Sequence, residues 1–236
     1  MKVGFLIFPL VILVFTGCGT LQKATMHGLS DGYYKLSLPG KPVEKVYATV
    51  NEDSITTYRV AGKDSLEHGS PTILRLRPTP DQPVTSNFLL SGTGIDFDIT
   101  TVLFKYRFKT DALPAQVNSN LNLAGYLGYK KEFFRFKDVT KPDKQHRSEL
   151  NYYTIDAGIF TGFGSTPINP STTAGHLQTE YDGFIWQNGV AVFVGWGIFS
   201  FGIGLGFDSL LDPNRKVWIY NGKPWTGLLI GLTLSN

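Results

Sequence analysis

A chain of 236 residues with 14% aromatic and only 17% charged side chains is long enough for one sizeable domain and poorer in charge than the roughly 25% of an ordinary soluble domain. Its formal charge of +3 is too weak and dispersed to argue for nucleic acid as a partner. The lone cysteine, Cys18, excludes an intramolecular disulfide. The histidines His27, His68, His146 and His176 lack metal-ligand spacing, so neither a metal nor a cofactor is expected.

Residues 1–17, in "MKVGFLIFPLVILVFTGC", read as a signal peptide: Lys2 precedes an apolar run over 3–15 that is too short to span a bilayer comfortably. The run ends at "FTGC", which resembles the lipobox of bacterial lipoproteins. Thr16 and Gly17 fit that pattern, while Phe15 stands where leucine is usual. Cys18 is therefore the expected lipidation site, carrying acyl chains such as palmitate. Each buried methylene adds about 0.8 kcal/mol, and more than one chain gives stable attachment. Gly19 replaces the aspartate that retains lipoproteins at the inner membrane of enterobacteria, and no acidic export cluster follows. By resemblance, this implies an anchor in the inner leaflet of the outer membrane.

Residues 18–31 read as a tether. From 32 to 77 the short runs "YYKLSL", "KVYATV", "SITTYRV" and "TILRLR", separated by turn chemistry, predict a small water-facing β-meander. Pro78, Pro80 and Pro83 then mark a boundary.

From residue 86 to 236 the texture is that of a small antiparallel β-barrel. In "NYYTIDAGIFTGFG" the residues Tyr153, Ile155, Ala157, Ile159 and Phe163 alternate with small or polar neighbours. Such a pattern suits a narrow barrel whose bulky residues face lipid. The alternative is a soluble barrel with those residues turned inward. The nineteen residues "GVAVFVGWGIFSFGIGLGF" hold no charge, but their alternate glycines argue against a helix. The apolar phase flips near Ile198, which predicts two strands with a tight turn at 197–199. "FDITTVLFKYRF" reads as another crossing, with a phase slip at Thr100–Thr101 that predicts a bulge. Six crossings are visible, and bacterial barrels start at about eight. "SNFLLSGTG" and the meander are candidates for the missing two. The polar stretch "KDVTKPDKQHRSE" reads as a loop.

"GFDSLLDPNRKVWIYNGKPWTGLLIGLTL", "DGYYKL" and "KVYATVNEDSITTY" resemble small outer-membrane β-barrel lipoproteins of Bacteroidota. That resemblance implies location and architecture and carries no activity.

Asp96, Asp98 and Asp156 are expected to face the lumen, with Asp182 and Asp208 near its mouth. Trp186, Trp196, Trp218, Trp225, Tyr181 and Tyr220 read as interfacial anchors. Ser171, His176 and Glu180 share one predicted external loop and are candidates for a lipid-modifying triad. The leading expectation is a non-enzymatic outer-membrane lipoprotein with a structural or interaction role. Its partners would be outer-membrane lipid and a periplasmic or envelope protein. A lipid-anchored soluble barrel binding a hydrophobic ligand comes second, and a lipid-modifying enzyme third.

Overall fold

A computed structural model describes residues 28–61, 65–66, 69–78, 83–85, 87–140, 146–196 and 199–233. The expected signal peptide, Cys18 and the tether as far as residue 27 lie outside the described residues. So do Gly197 and Ile198 at the expected hairpin turn.

The N-terminal meander consists of β1 (Gly32–Ser37), β2 (Glu44–Val50), β3 (Ser54–Ala61), the two-residue β4 (Ser65–Leu66) and β5 (Thr72–Arg75). Then come β6 (Phe88–Arg107), the short β7 (Gln116–Asn118), β8 (Asn122–Thr140) and β9 (His146–Ile168). The chain finishes with β10 (Tyr181–Trp196), β11 (Phe199–Leu210) and β12 (Pro224–Thr233). Every pairing is antiparallel. No described helix is long and apolar enough to cross a membrane.

Strands β6, β8, β9, β10, β11 and β12 pair in that order, and β12 returns to β6, so the hydrogen bonding closes into a ring. The ring has six strands rather than the eight expected. "SNFLLSGTG" adds no crossing because most of it is the first half of β6. The meander adds none because β1 meets β6 only along that first half.

Cα partners can be followed once round the ring from Asp98, through Tyr126, Phe160, Gly189, Gly206 and Trp225, back to β6 at Arg107. This nine-residue stagger includes one extra residue, because the register slips opposite Leu228 and Leu229. About eight residues of rise, near 26 Å, against a six-strand girth near 28 Å tilt the strands by roughly 45°. The slip falls at Leu103–Phe104, both facing outward, and not at Thr100–Thr101 as the sequence suggested.

A second body sits at the end of the ring where β6 begins. The first half of β6 pairs with β1, which continues through β2 and β3 to β5. Just past β5, the Leu76 carbonyl accepts a hydrogen bond from the Ser148 amide of β9 at 3.1 Å. The lower halves of β6, β8 and β9 thus enclose a core with the meander, built from Leu36, Val46, Ile55, Leu74, Phe134 and their neighbours. Phe88 and Phe136 stack there with ring centres 4.4 Å apart. Fully burying side chains of this size contributes about 1.5–3 kcal/mol each. "KDVTKPDKQHRSE" belongs in large part to this body: β8 runs to Thr140 and β9 starts at His146, so residues 137–140 and 146–149 are strand where the sequence suggested a loop.

Polarity inverts along the three shared strands at a single level. Below it, Phe134 and Phe136 of β8 point inward while Arg135 and Lys137 are exposed. Above it, Leu123, Leu127 and Tyr129 are exposed and Lys130 is buried. On β6, Phe88 and Leu90 are buried below, whereas Asp96 and Asp98 are buried above, with Ile95 and Phe97 outside. The exchange falls where Gly92 pairs with Glu132 and Glu132 pairs with Thr154. The β10–β11 hairpin ends at this level too, with Trp196 opposite Phe199 and Tyr153.

Candidate functional site inside the ring

The ring interior holds two polar clusters separated by an aromatic layer. The upper cluster centres on Asp208, which β11 directs inward and which is 0% exposed. The bulge in β6 turns Lys105 and Arg107 to the same side. Lys105 Nζ donates to both Asp208 carboxylate oxygens, at 2.9 and 3.1 Å. Arg107 Nη2 and Trp225 Nε1 also donate to this carboxylate, the latter at 2.8 Å. Two cations thus face one anion with almost no water, a costly arrangement unless geometry is good and other partners share the charge. Aromatic faces supply that share: Lys105 Nζ lies 4.6 Å from the Trp225 ring centre. The Arg107 guanidinium lies 5.2 Å from the ring of Trp218 and 5.1 Å from that of Tyr220. Burial raises the Tyr220 phenol above its ordinary value, with Arg107 acting in the opposite direction. Gln187, paired with Asp208 across β10 and β11, is also buried, and its side-chain amide has no hydrogen-bond partner among the described residues.

The lower cluster gathers carboxylates. Tyr126 donates to Asp156 at 2.5 Å, and Tyr152 to Glu132 at 3.0 Å. Lys130 Nζ stands 3.3 Å from both Asp96 and Glu132. Between the clusters, Phe160, Phe193, Val102, Ala191 and Leu229 pack together, with Tyr126 meeting Phe193 edge-on at 4.9 Å. Inward glycines make room for these rings. A Cβ at Gly202 would stand 2.5 Å from the Phe193 ring, and one at Gly206 would run into Trp225. Side chains therefore fill the lumen at this level, as expected of a narrow barrel-like ring.

Asp96, Asp98 and Asp156 do face the interior. Asp182 is exposed at the rim, but Asp208 is sealed inside. Trp186, five residues into β10, and Trp196 at its end lie outside, the latter 80% exposed. Trp218, Trp225 and Tyr220 are buried, which corrects their reading as interfacial anchors. Tyr181 bridges Asp212 and Asn214 at 2.8 and 2.9 Å. Sequence reasoning missed Lys105, Arg107 and Gln187. Two basic residues two positions apart within apolar "FKYRF" were the available signal.

Ser171 sits in the 3-10 turn Ser171–Thr173, and His176 Nδ1 faces the Thr173 carbonyl at 2.8 Å rather than a serine hydroxyl. Glu180 is exposed ahead of β10. Asn169, Thr172 and Thr173 tie this turn through their own side chains. Among the described residues no cluster of histidine, cysteine and carboxylate side chains could hold a metal ion. No family model, no curated protein and no solved structure matches the chain.

Proposed function

We propose that the six-stranded ring is a transmembrane β-barrel and that the protein is an outer-membrane lipoprotein, anchored a second time through acylated Cys18. Its role on this reading is non-enzymatic: it holds the small meander body at the periplasmic face, where that body docks an envelope protein.

The observation that carries this reading is the apolar belt. All six strands of the ring present large apolar side chains outward, among them Ile95, Leu127, Ile159, Val192, Ile203 and Leu228. A belt that encircles the molecule far exceeds the few hundred Å² of contiguous apolar surface that a soluble monomer tolerates. Its height suits a bilayer. Trp186 and Trp196 are ten residues apart on β10, about 33 Å along the strand and about 23 Å in height at a roughly 45° tilt, against a band of about 25 Å in such barrels. A soluble barrel holding a hydrophobic ligand would need the opposite arrangement, and the charged, filled lumen counts against it.

Position supports the periplasmic assignment of the meander. A tether from residue 18 to 31 can reach at most about 45 Å. Its polar residues Gln22, Lys23 and His27 would be costly to thread through hydrocarbon, so an inner-leaflet anchor keeps β1 on that side of the membrane. Exposed Tyr33, packed edge-on against Tyr47 at 5.2 Å with Lys45 over its ring, offers a surface for a protein partner.

The test is membrane retention. The Cys18→Ala protein should stay in the membrane fraction through alkaline extraction and migrate differently on a gel before and after boiling. Release of that variant into the periplasm would refute the barrel reading.

A further inference from the structure

At the rim, where β6 and β12 close the ring, lies a partly open groove of about 570 Å³. Phe108, Ile219 and Pro224 give it an apolar lining, to which Lys109 and Lys223 add two cations. Both lysines are set by tied turns. Thr110 accepts the Leu113 amide at 3.1 Å and donates its own to the Leu113 carbonyl at 2.9 Å. Gly222, at a φ of 69° that favours glycine, completes the turn in which the Lys223 amide bonds to Tyr220 at 3.0 Å. Tyr220 lines the groove as well. It is 2% exposed, and its hydroxyl has no hydrogen-bond partner among the described residues. Behind it lies the Arg107 guanidinium, whose Nε and Nη1 are also buried without partners. Asp111 is the acidic residue on the lining, so the local balance is positive. Beneath the groove, along the seam, Tyr106, Phe104 and Leu228 continue the apolar wall.

We infer that this groove seats one membrane lipid with an anionic phosphate headgroup. The headgroup lies between Lys109 and Lys223, and an acyl chain runs down the seam over Phe108, Tyr106 and Phe104. Paired lysines at the headgroup level attract anionic lipid, and an apolar track distinguishes a lipid from a free anion. The inference rests on the transmembrane reading of the ring.

Native mass spectrometry on the full chain in zwitterionic detergent tests it. Phosphatidylglycerol should be retained about tenfold better than phosphatidylcholine. The K109Q/K223Q variant should lose that preference, while K41Q/K137Q, which removes two exposed lysines of the lower body, keeps it. Equal retention of the two lipids, or an unchanged preference in K109Q/K223Q, overturns the site. Displacement of the lipid by equimolar inorganic phosphate overturns the lipid assignment in favour of a free anion. Boiling-dependent migration of each variant reports whether the ring is folded. Failure of the barrel reading would appear separately, as loss of Cys18→Ala from the membrane.

Discussion

Strands β6, β8 and β9 pass through two bodies with one alternation and opposite chemistry. In the lower body their inward positions are Phe88, Leu90, Phe134 and Phe136, and charged residues such as Arg135 lie outside. In the ring the inward positions become Asp96, Asp98, Lys130 and Asp156, and the outward ones Ile95, Phe97, Leu127 and Ile159. The β6–β8 and β8–β9 ladders run unbroken through the exchange, while the other edge of β6 passes from β1 to β12. On the proposed transmembrane reading, what changes is the medium each wall meets. In water the hydrophobic effect drives apolar residues to the centre. In a bilayer that drive vanishes between protein and lipid, and the lumen is free to hold polar groups, provided they pair.

The sharpest way to break this comparison is to unpair the lumen. Asp208→Ala would leave Lys105 and Arg107 buried without their anion, and such losses cost about 3–5 kcal/mol. The effect should appear as a lower urea midpoint in lipid vesicles, extrapolated linearly. A triple K105M/R107M/D208L variant, which removes both signs of charge together, should recover most of that loss. If Asp208→Ala is neutral, the upper cluster is wet rather than buried. A second prediction addresses the walls. Val192→Arg places a charge near the middle of the proposed belt and should cost about 2–4 kcal/mol in vesicles. Arg135→Leu, on the outer wall of the lower body, should stay within about 0.5 kcal/mol. Equal responses at the two positions would mean that the bodies do not meet different media.

The alternation and its glycines were legible in sequence because they are local. Gly202, Gly204 and Gly206 between Phe201, Ile203, Leu205 and Phe207 could only be a strand with one small face, and the structure pairs these residues in β10–β11 as one hairpin. The six crossings visible in sequence are the six ring strands, and the error lay in adding "SNFLLSGTG" and the meander to reach eight. The first half of β6 carries lower-body chemistry and the second half ring chemistry, so composition divides one strand in two. The same inversion made "KDVTKPDKQHRSE" look like a loop: Lys137 and Glu149 are paired across β8 and β9, but both face outward from the lower body. Lys105, Arg107 and Trp225 were hidden for a different reason. Their direction depends on a bulge at Leu103–Phe104 and on Gly206 lying opposite Trp225, both cross-strand facts.

Lumen packing offers a smaller effect in the same frame. Gly202→Ala forces a methyl against the Phe193 ring, and overpacking of this kind costs about 1–3 kcal/mol. The companion Phe193→Leu, made in the Gly202→Ala background, should recover part of the loss by opening space. Additive losses in the double variant, measured by the same vesicle unfolding, would show that the two side chains do not share that space.

The least costly change expected lies on the water-facing wall of the lower body. Arg59 on β3 donates through Nε and Nη2 to Glu44 on β2 at 3.1 and 2.7 Å, a two-pronged pair with side chains 60% and 32% exposed. Solvent screens such a pair, so its coupling in a Glu44→Ala, Arg59→Ala double-mutant cycle should be about 0.2–1 kcal/mol. It should shrink further in 1 M salt, where the Debye length falls to about 3 Å. By contrast, the Asp208 loss should be insensitive to salt, because ions cannot reach a carboxylate that is 0% exposed. Two ion pairs in one chain, one fading in salt and one unmoved by it, would place the lower wall in water and the upper cluster away from it. A coupling of several kcal/mol at Glu44–Arg59, or a salt-sensitive loss at Asp208, would reverse that division.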